Sequence, residues 1–145
     1  MNINSFEKNT RAIFHELHKQ QGDSKKILDR LKALLNPAYL KENDDFFKGK
    51  ICLDAGCGSN ANATYSMLEH GAKKVYAFDL DETIFETVPN CLRDFEGKYT
   101  LNLDNVLTMQ FDDNFFDFVH CSGVLHHTDD LFTGLKQLAR VTKKG

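Results

Sequence analysis

The residues best suited to chemistry in this chain are Asp54, Gly56, Gly58 and Asp79. Two glycines so close together let a backbone approach a ligand where any Cβ would collide. Asp79 stands twenty-one residues beyond Gly58, where a carboxylate can accept hydrogen bonds from two ribose hydroxyls. Asp54, two residues before the first glycine, suits a positively charged ligand better than a pyrophosphate. These types and spacings describe a nucleoside site that favours cations.

Such a site needs elements to hold it. Ile51-Cys52-Leu53 forms an apolar run ahead of the glycines, and Val75-Tyr76-Ala77-Phe78 leads into Asp79. Strands are expected at about 51–54, 74–79, 98–103 and 118–121. Between them lie helical stripes: Ala61, Tyr65 and Leu68; then Ile84, Val88, Leu92 and Phe95, which Pro89 should kink; last Leu131, Leu135 and Leu138. Short apolar strands separated by amphipathic helices indicate an α/β fold with a parallel sheet covered on both faces. The expected strand order is 3-2-1-4, with the ligand at the carboxyl ends of strands one and two.

Residues 1–48 read as a helical N-terminal extension, and residues 49–145 as the sheet domain. Phe6, Ile13, Phe14 and Leu17 recur at helical spacing up to Gly22, and Ile27, Leu28, Leu31, Leu34 and Leu35 form a second stripe ending at Asn36-Pro37. The chain closes on Val141-Thr142-Lys143-Lys144-Gly145. That would leave strand four on an edge, so a fragment of a longer protein is expected.

The 145 residues suit one domain, with 41% hydrophobic and 27% charged residues. A net charge of -3 and a pI near 6.0 argue against a dense basic grip on nucleic acid. Cys52, Cys57, Cys91 and Cys121 contain no close C-x-x-C pair, which fits reduced thiols in a cytoplasmic protein. The polar start is no signal peptide, and no apolar run approaches the ~20 residues of a membrane span. His15 and His18 share helical spacing, but no Cys or carboxylate nearby completes a metal site, so none is expected.

From Lys50 onward the chain resembles the class I, Rossmann-like S-adenosylmethionine-dependent methyltransferases. It is most similar to the small-molecule branch that serves ubiquinone and menaquinone biosynthesis. Four pieces carry the resemblance in order: Leu53-Asp54-Ala55-Gly56-Cys57-Gly58; the strand ending at Asp79; Asp104 with Phe111-Asp112-Asp113-Asn114-Phe115-Phe116-Asp117-Phe118-Val119; and Ser122-Gly123-Val124-Leu125-His126-His127. The closing Leu138-Ala139-Arg140-Val141 looks like the stretch before the family's fifth strand.

The resemblance implies S-adenosylmethionine as cofactor and a small-molecule methyl acceptor as substrate, with no nucleic-acid partner. Asp54, Ala55, Gly56, Cys57 and Gly58 would hold the methionine part. Asp79 would bind the ribose, Leu80 would pack on the adenine, and Asp104, Asn105 and Val106 would meet its edge. His120, Cys121 and Ser122 would line the methyl-donor end, and the N-terminal helices would lie over the cofactor as a lid. Asn60 stands where the family often has a third glycine and would take its left-handed turn.

Other readings of the same residues stay open. His126 and His127 are candidate general bases, since imidazole titrates near neutrality, but packing or capping at the last helix suits them better. Asp117 suits a turn or cap, and Asp104 can be a plain strand-end residue. A nicotinamide-dependent oxidoreductase, a non-catalytic binding domain and a methyltransferase for protein or nucleic acid are the rival functions. A dehydrogenase would want a third glycine and an uncharged residue in place of Asp54.

Overall fold

In a computed structural model of the chain, residues 5–21 and 35–145 are described. Helix α1 spans Ser5–Gln21. An alternation of strands and helices follows: β1 (Ile51–Ala55), α2 (Asn62–Glu69), β2 (Lys74–Asp79), α3 (Ile84–Cys91), β3 (Tyr99–Leu103), β4 (Phe118–His120) and α4 (Leu131–Val141). The second expected N-terminal helix falls mostly outside the described residues.

The four strands form one sheet in the order β3-β2-β1-β4, and every pairing is parallel. Chain order reverses between β1 and its two neighbours, and parallel sheets open a ligand crevice at such a point. The order is the one the sequence pattern implies.

Alternation along the strands assigns the faces. Cys52 and Val75 face α2 and pack with Met67, Leu68 and Phe47. Ala77 packs with Ile84, Val88 and Leu92 of the α3 segment. Leu53, Ala55 and Phe78 lie on the other face, with Phe116 and Val141. An aromatic cluster fills that side, with Tyr76 edge-on to Phe111, Phe115 and Phe116 at 5.6–5.9 Å between centroids.

Two polar anchors fix the parts around the sheet. Asp117 accepts the Ile51 N–H at 2.8 Å and Lys143 Nζ at 2.7 Å, so it is a structural acid joining β1, β4 and the end of α4. Arg140 donates to Phe111 O at 2.6 Å, Met109 O at 3.1 Å and Asp113 Oδ1 at 2.7 Å, pinning the loop between β3 and β4. Asp130 caps α4 by accepting the Thr133 N–H at 2.9 Å.

Some boundaries differ from the sequence expectation. Pro89 sits inside α3 without ending it; the helix closes at Cys91, and Phe95 falls in a 3-10 turn, Arg93–Phe95. Beyond the two glycines, the left-handed residue of the turn is Ala61, at φ 45°, and not Asn60. Ala61 heads α2 with no side-chain cap, so the turn is held by its bonds to neighbouring loops.

Candidate functional site

The glycine turn between β1 and α2 is tied to the end of β2 by backbone and side chain. Gly56 and Cys57 both donate their N–H to Phe78 O at 2.9 Å. Gly58 donates to Asp79 Oδ2 at 3.0 Å. Gly56 has φ 79°, and a Cβ there would enter the side chain of Val124. Only glycine meets both demands.

Beyond β2 the acids form a ladder. Asp79 Oδ1 accepts the Asp81 N–H at 3.1 Å. Asp81, 1% exposed, accepts from Thr83 N at 3.1 Å and Thr83 Oγ1 at 2.8 Å. Helix α1 docks on this loop: His15 Nδ1 lies 3.0 Å from Asp81 Oδ1, and Arg11 lies 3.3 Å from Glu82. After β3, Asp104 donates its N–H to Asp79 O at 3.1 Å and accepts the Asn105 N–H at 2.8 Å. Burial raises the Asp104 carboxyl above its ordinary value, and the Asn105 N–H partly offsets this.

These groups wall a crevice of about 310 Å³ at the carboxyl ends of the strands. Eight of the residues expected at the cofactor line it: Gly56, Gly58, Asp79, Leu80, Asp104, Asn105, Val106 and Ser122. Thr10 and Arg11 of α1 close one side, and Val124, His127 and Thr128 another.

A second cavity, of about 430 Å³, lies across the glycine turn and shares Gly56 and Ser122 with the first. Asp54, Cys57 and His120 border it, together with Leu35, Tyr39, Leu40, Asn62, Ala63 and Phe118. Asp54 is 1% exposed. Its Oδ2 accepts from Thr64 N at 3.0 Å and Thr64 Oγ1 at 2.7 Å, and its Oδ1 lies 3.1 Å from His120 Nδ1. Asp54 therefore anchors the start of α2 and orients a histidine as well as setting the local charge. Burial opposes the His120 imidazolium, but the hydrogen bond and charge of Asp54 outweigh it and raise the group's pKa.

Two expected contacts are not made by side chains. Ala55, fully buried, and Cys121 pack into the core beneath α4 and line neither cavity. Strand alternation turns positions 55 and 121 away from the second cavity, which 54 and 120 border. His127 borders the first crevice, and its ring lies 3.9 Å from that of His126. Both belong to the 3-10 turn Leu125–His127 ahead of α4, whose cap is Asp130.

Sequence reasoning missed Asp81, Asn62, Tyr39 and the α1 pair Arg11 and His15. Asp81 had a signal, since a polar residue two places past a strand-end acid lies on the same loop. Asn62 opens α2 directly after the glycine turn, and the rest are brought in by tertiary docking, which no local spacing records.

The residues fit S-adenosylmethionine on two structural grounds. The crevice wall offers the carboxylates of Asp79 and Asp104 to a cationic, hydroxyl-bearing ligand. In the second cavity Asn62 Oδ1 is buried with no hydrogen-bond partner among the described residues, an acceptor awaiting a donor such as an ammonium.

Comparison with known proteins gives the same picture. The chain is 33% identical over 102 residues to a demethylmenaquinone methyltransferase of Geobacillus stearothermophilus, covering 68% of this chain and 43% of that protein. It is 37% identical over 95 residues to a tRNA U34 carboxymethyltransferase of Nautilia profundicola, covering 63% and 30%. The chain thus spans less than half the length of either relative. The fold matches the crystal structure of a putative S-adenosyl-L-methionine-dependent methyltransferase from Methanococcus maripaludis, with TM-score 0.66 and 18% identity over 100% of this chain and 63% of that one. The methyltransferase domain family matches residues 53–145, taking in most of the sheet, the glycine turn and Asp54, Asp79 and Asp104, and the chain belongs to that family.

Proposed function

We propose that this chain is the cofactor-binding part of an S-adenosylmethionine-dependent methyltransferase acting on a small-molecule acceptor. One observation carries the reading: Asp79 is joined to the glycine turn through Gly58 at 3.0 Å, on a crevice that also presents Asp104. Asp79 and Leu80 would hold the ribose and adenine, with Asp104, Asn105 and Val106 at the adenine edge. Gly56, Cys57, Gly58 and Asn62 would hold the methionine part beside Asp54. When bound, S-adenosylmethionine supplies a methyl group already activated on a positively charged sulfur. The protein's task is then chiefly alignment, which can lower a barrier by ~7–11 kcal/mol.

A small acceptor is favoured over nucleic acid by the net charge of -3, and by the demethylmenaquinone relative. The tRNA-modifying relative makes an RNA acceptor the reading to exclude by experiment. No described helix is long and apolar enough to cross a membrane.

Calorimetric titration tests the reading directly. S-adenosylhomocysteine should bind with micromolar affinity, and NAD should not. Uptake of NAD in place of S-adenosylhomocysteine would make the chain a nicotinamide enzyme. Binding of a tRNA transcript that survives moderate salt would move the acceptor to RNA.

A further inference from the structure

We propose that His120, oriented by Asp54, is a general base that takes the proton from a hydroxyl-bearing acceptor seated in the second cavity beside the methionine part of the donor. The inference rests on the methyltransferase reading above and goes beyond it, because family likeness assigns these two residues only to the cofactor's surroundings.

The geometry comes from strand register. Asp54 and His120 are directly paired positions on β1 and β4, and both face the α2 side of the sheet. Asp54 is a carboxylate and accepts, so the His120 nitrogen 3.1 Å away, Nδ1, carries the proton. In the neutral ring that leaves the lone pair on Nε2. His120 makes no other hydrogen bond among the described residues, and it borders the cavity with a quarter of its side chain exposed. Asp54 cannot swing away, because Thr64 holds its other oxygen twice. A carboxylate that fixes the tautomer of an imidazole bordering a cavity is the arrangement that lets histidine act as a base.

The surroundings suit an apolar molecule bearing one ionisable hydroxyl. Leu35, Tyr39, Leu40, Ala63 and Phe118 supply apolar wall. Among the described residues, Cys57 and Tyr39 are the other titratable groups on this cavity, and Cys121 follows His120 in the chain. Burial chiefly, then Asp54, raises both thiols, Cys121 to about 11 and Cys57 well above its ordinary value. They stay neutral and protonated at working pH. Asp54 raises His120 over the opposing effect of burial, which strengthens it as a proton acceptor once it is neutral.

The step balances. The acceptor oxygen forms a bond to the methyl carbon while the sulfur–carbon bond breaks and its electron pair returns to sulfur. The hydroxyl proton passes to His120 Nε2. The products are a methyl ether, S-adenosylhomocysteine and an imidazolium paired with Asp54. Solvent then removes the proton.

A chromogenic phenol, 4-nitrophenol, tests the proposal on the full chain with S-adenosylhomocysteine present. Wild-type protein should bind the phenol and raise its phenolate-to-phenol ratio at least tenfold over that in water, read by absorbance. Histidine-selective NMR should show the proton arriving on His120. The His120→Gln variant, saturated with S-adenosylhomocysteine, should still bind the phenol yet leave its ionisation as in water. Equal ionisation on wild type and variant overturns the proposal, as does failure of wild type to bind the phenol when S-adenosylhomocysteine is bound. Failure of wild type to bind S-adenosylhomocysteine overturns the donor reading itself, and the base with it.

Discussion

Asp79 Oδ2 accepts the backbone N–H of Gly58 at 3.0 Å, so the acid that ends β2 is built into the turn that follows β1. The same carboxylate takes the Asp81 N–H at 3.1 Å. One side chain therefore shapes two loops and still lines the crevice. Asp79→Ala should weaken S-adenosylhomocysteine about ten- to a hundredfold, the worth of one or two hydrogen bonds to a charged group. Calorimetry measures the loss, and near-ultraviolet circular dichroism shows whether the fold persists. An unchanged affinity would remove Asp79 from the site.

Gly56 admits no side chain, both for its φ of 79° and for the Val124 side chain that occupies the place of a Cβ. Gly56→Ala should cost about 2–5 kcal/mol, from left-handed strain and overpacking together. Adding Val124→Ala should recover the packing share and leave the strain. Urea denaturation of the single and double variants separates the two.

The buried pair of Asp54 and His120 should leave a mark on stability as well as on chemistry. His120 has its pKa raised on folding. Its contribution is therefore complete below the unfolded value of about 6.5 and fades as pH rises through the higher folded value. The stability gap between wild type and His120→Gln should be larger below that window than above it. Chemical denaturation on each side reads this, and a gap that widens with pH would refute the assignment.

Thr64, fully buried, gives Asp54 a hydroxyl donor at 2.7 Å. Thr64→Val keeps the shape and removes the donor, so it should destabilise by about 1–3 kcal/mol. Thermal melts check this. A smaller change would mean that the Thr64 N–H alone satisfies the carboxylate.

Helix α1 meets the ladder of acids through His15 and Asp81 at 3.0 Å and through Arg11 and Glu82 at 3.3 Å. Glu82 is largely exposed, and exposed pairs are worth little, so the His15 contact should dominate. His15→Ala should speed S-adenosylhomocysteine release severalfold in stopped-flow, and Arg11→Ala should do less. Removing residues 1–35 should exceed both. Equal release rates in all forms would deny α1 a covering role.

The sheet was legible because its signals are local. Val75 to Asp79 is apolar and bounded, and β2 runs Lys74–Asp79; the glycines mark the turn that Gly56 and Gly58 make. Faces follow from alternation, and that rule alone would have turned Ala55 and Cys121 away from the cavity that Asp54 and His120 border. Asn60 looked like the left-handed residue by type, but Ala61 takes that conformation because the turn's bonds fix the backbone one residue later. Contacts between distant segments left no trace: nothing near His15 hints at Asp81, 66 residues away. The partition of the acids was hidden for the same reason. Asp54 and Asp79 look alike in sequence, yet one is locked to Thr64 and His120 and the other borders the crevice.

Gly56 lies on both hollows at once, with its N–H pinned to Phe78 O. A single glycine amide resonance is thus placed to register filling on either side of the wall. Molecules entering from the nucleoside side or from the apolar side would each perturb it, and shifts elsewhere would tell which had arrived. The order in which two substrates load could be followed from that signal and those shifts together, without turnover.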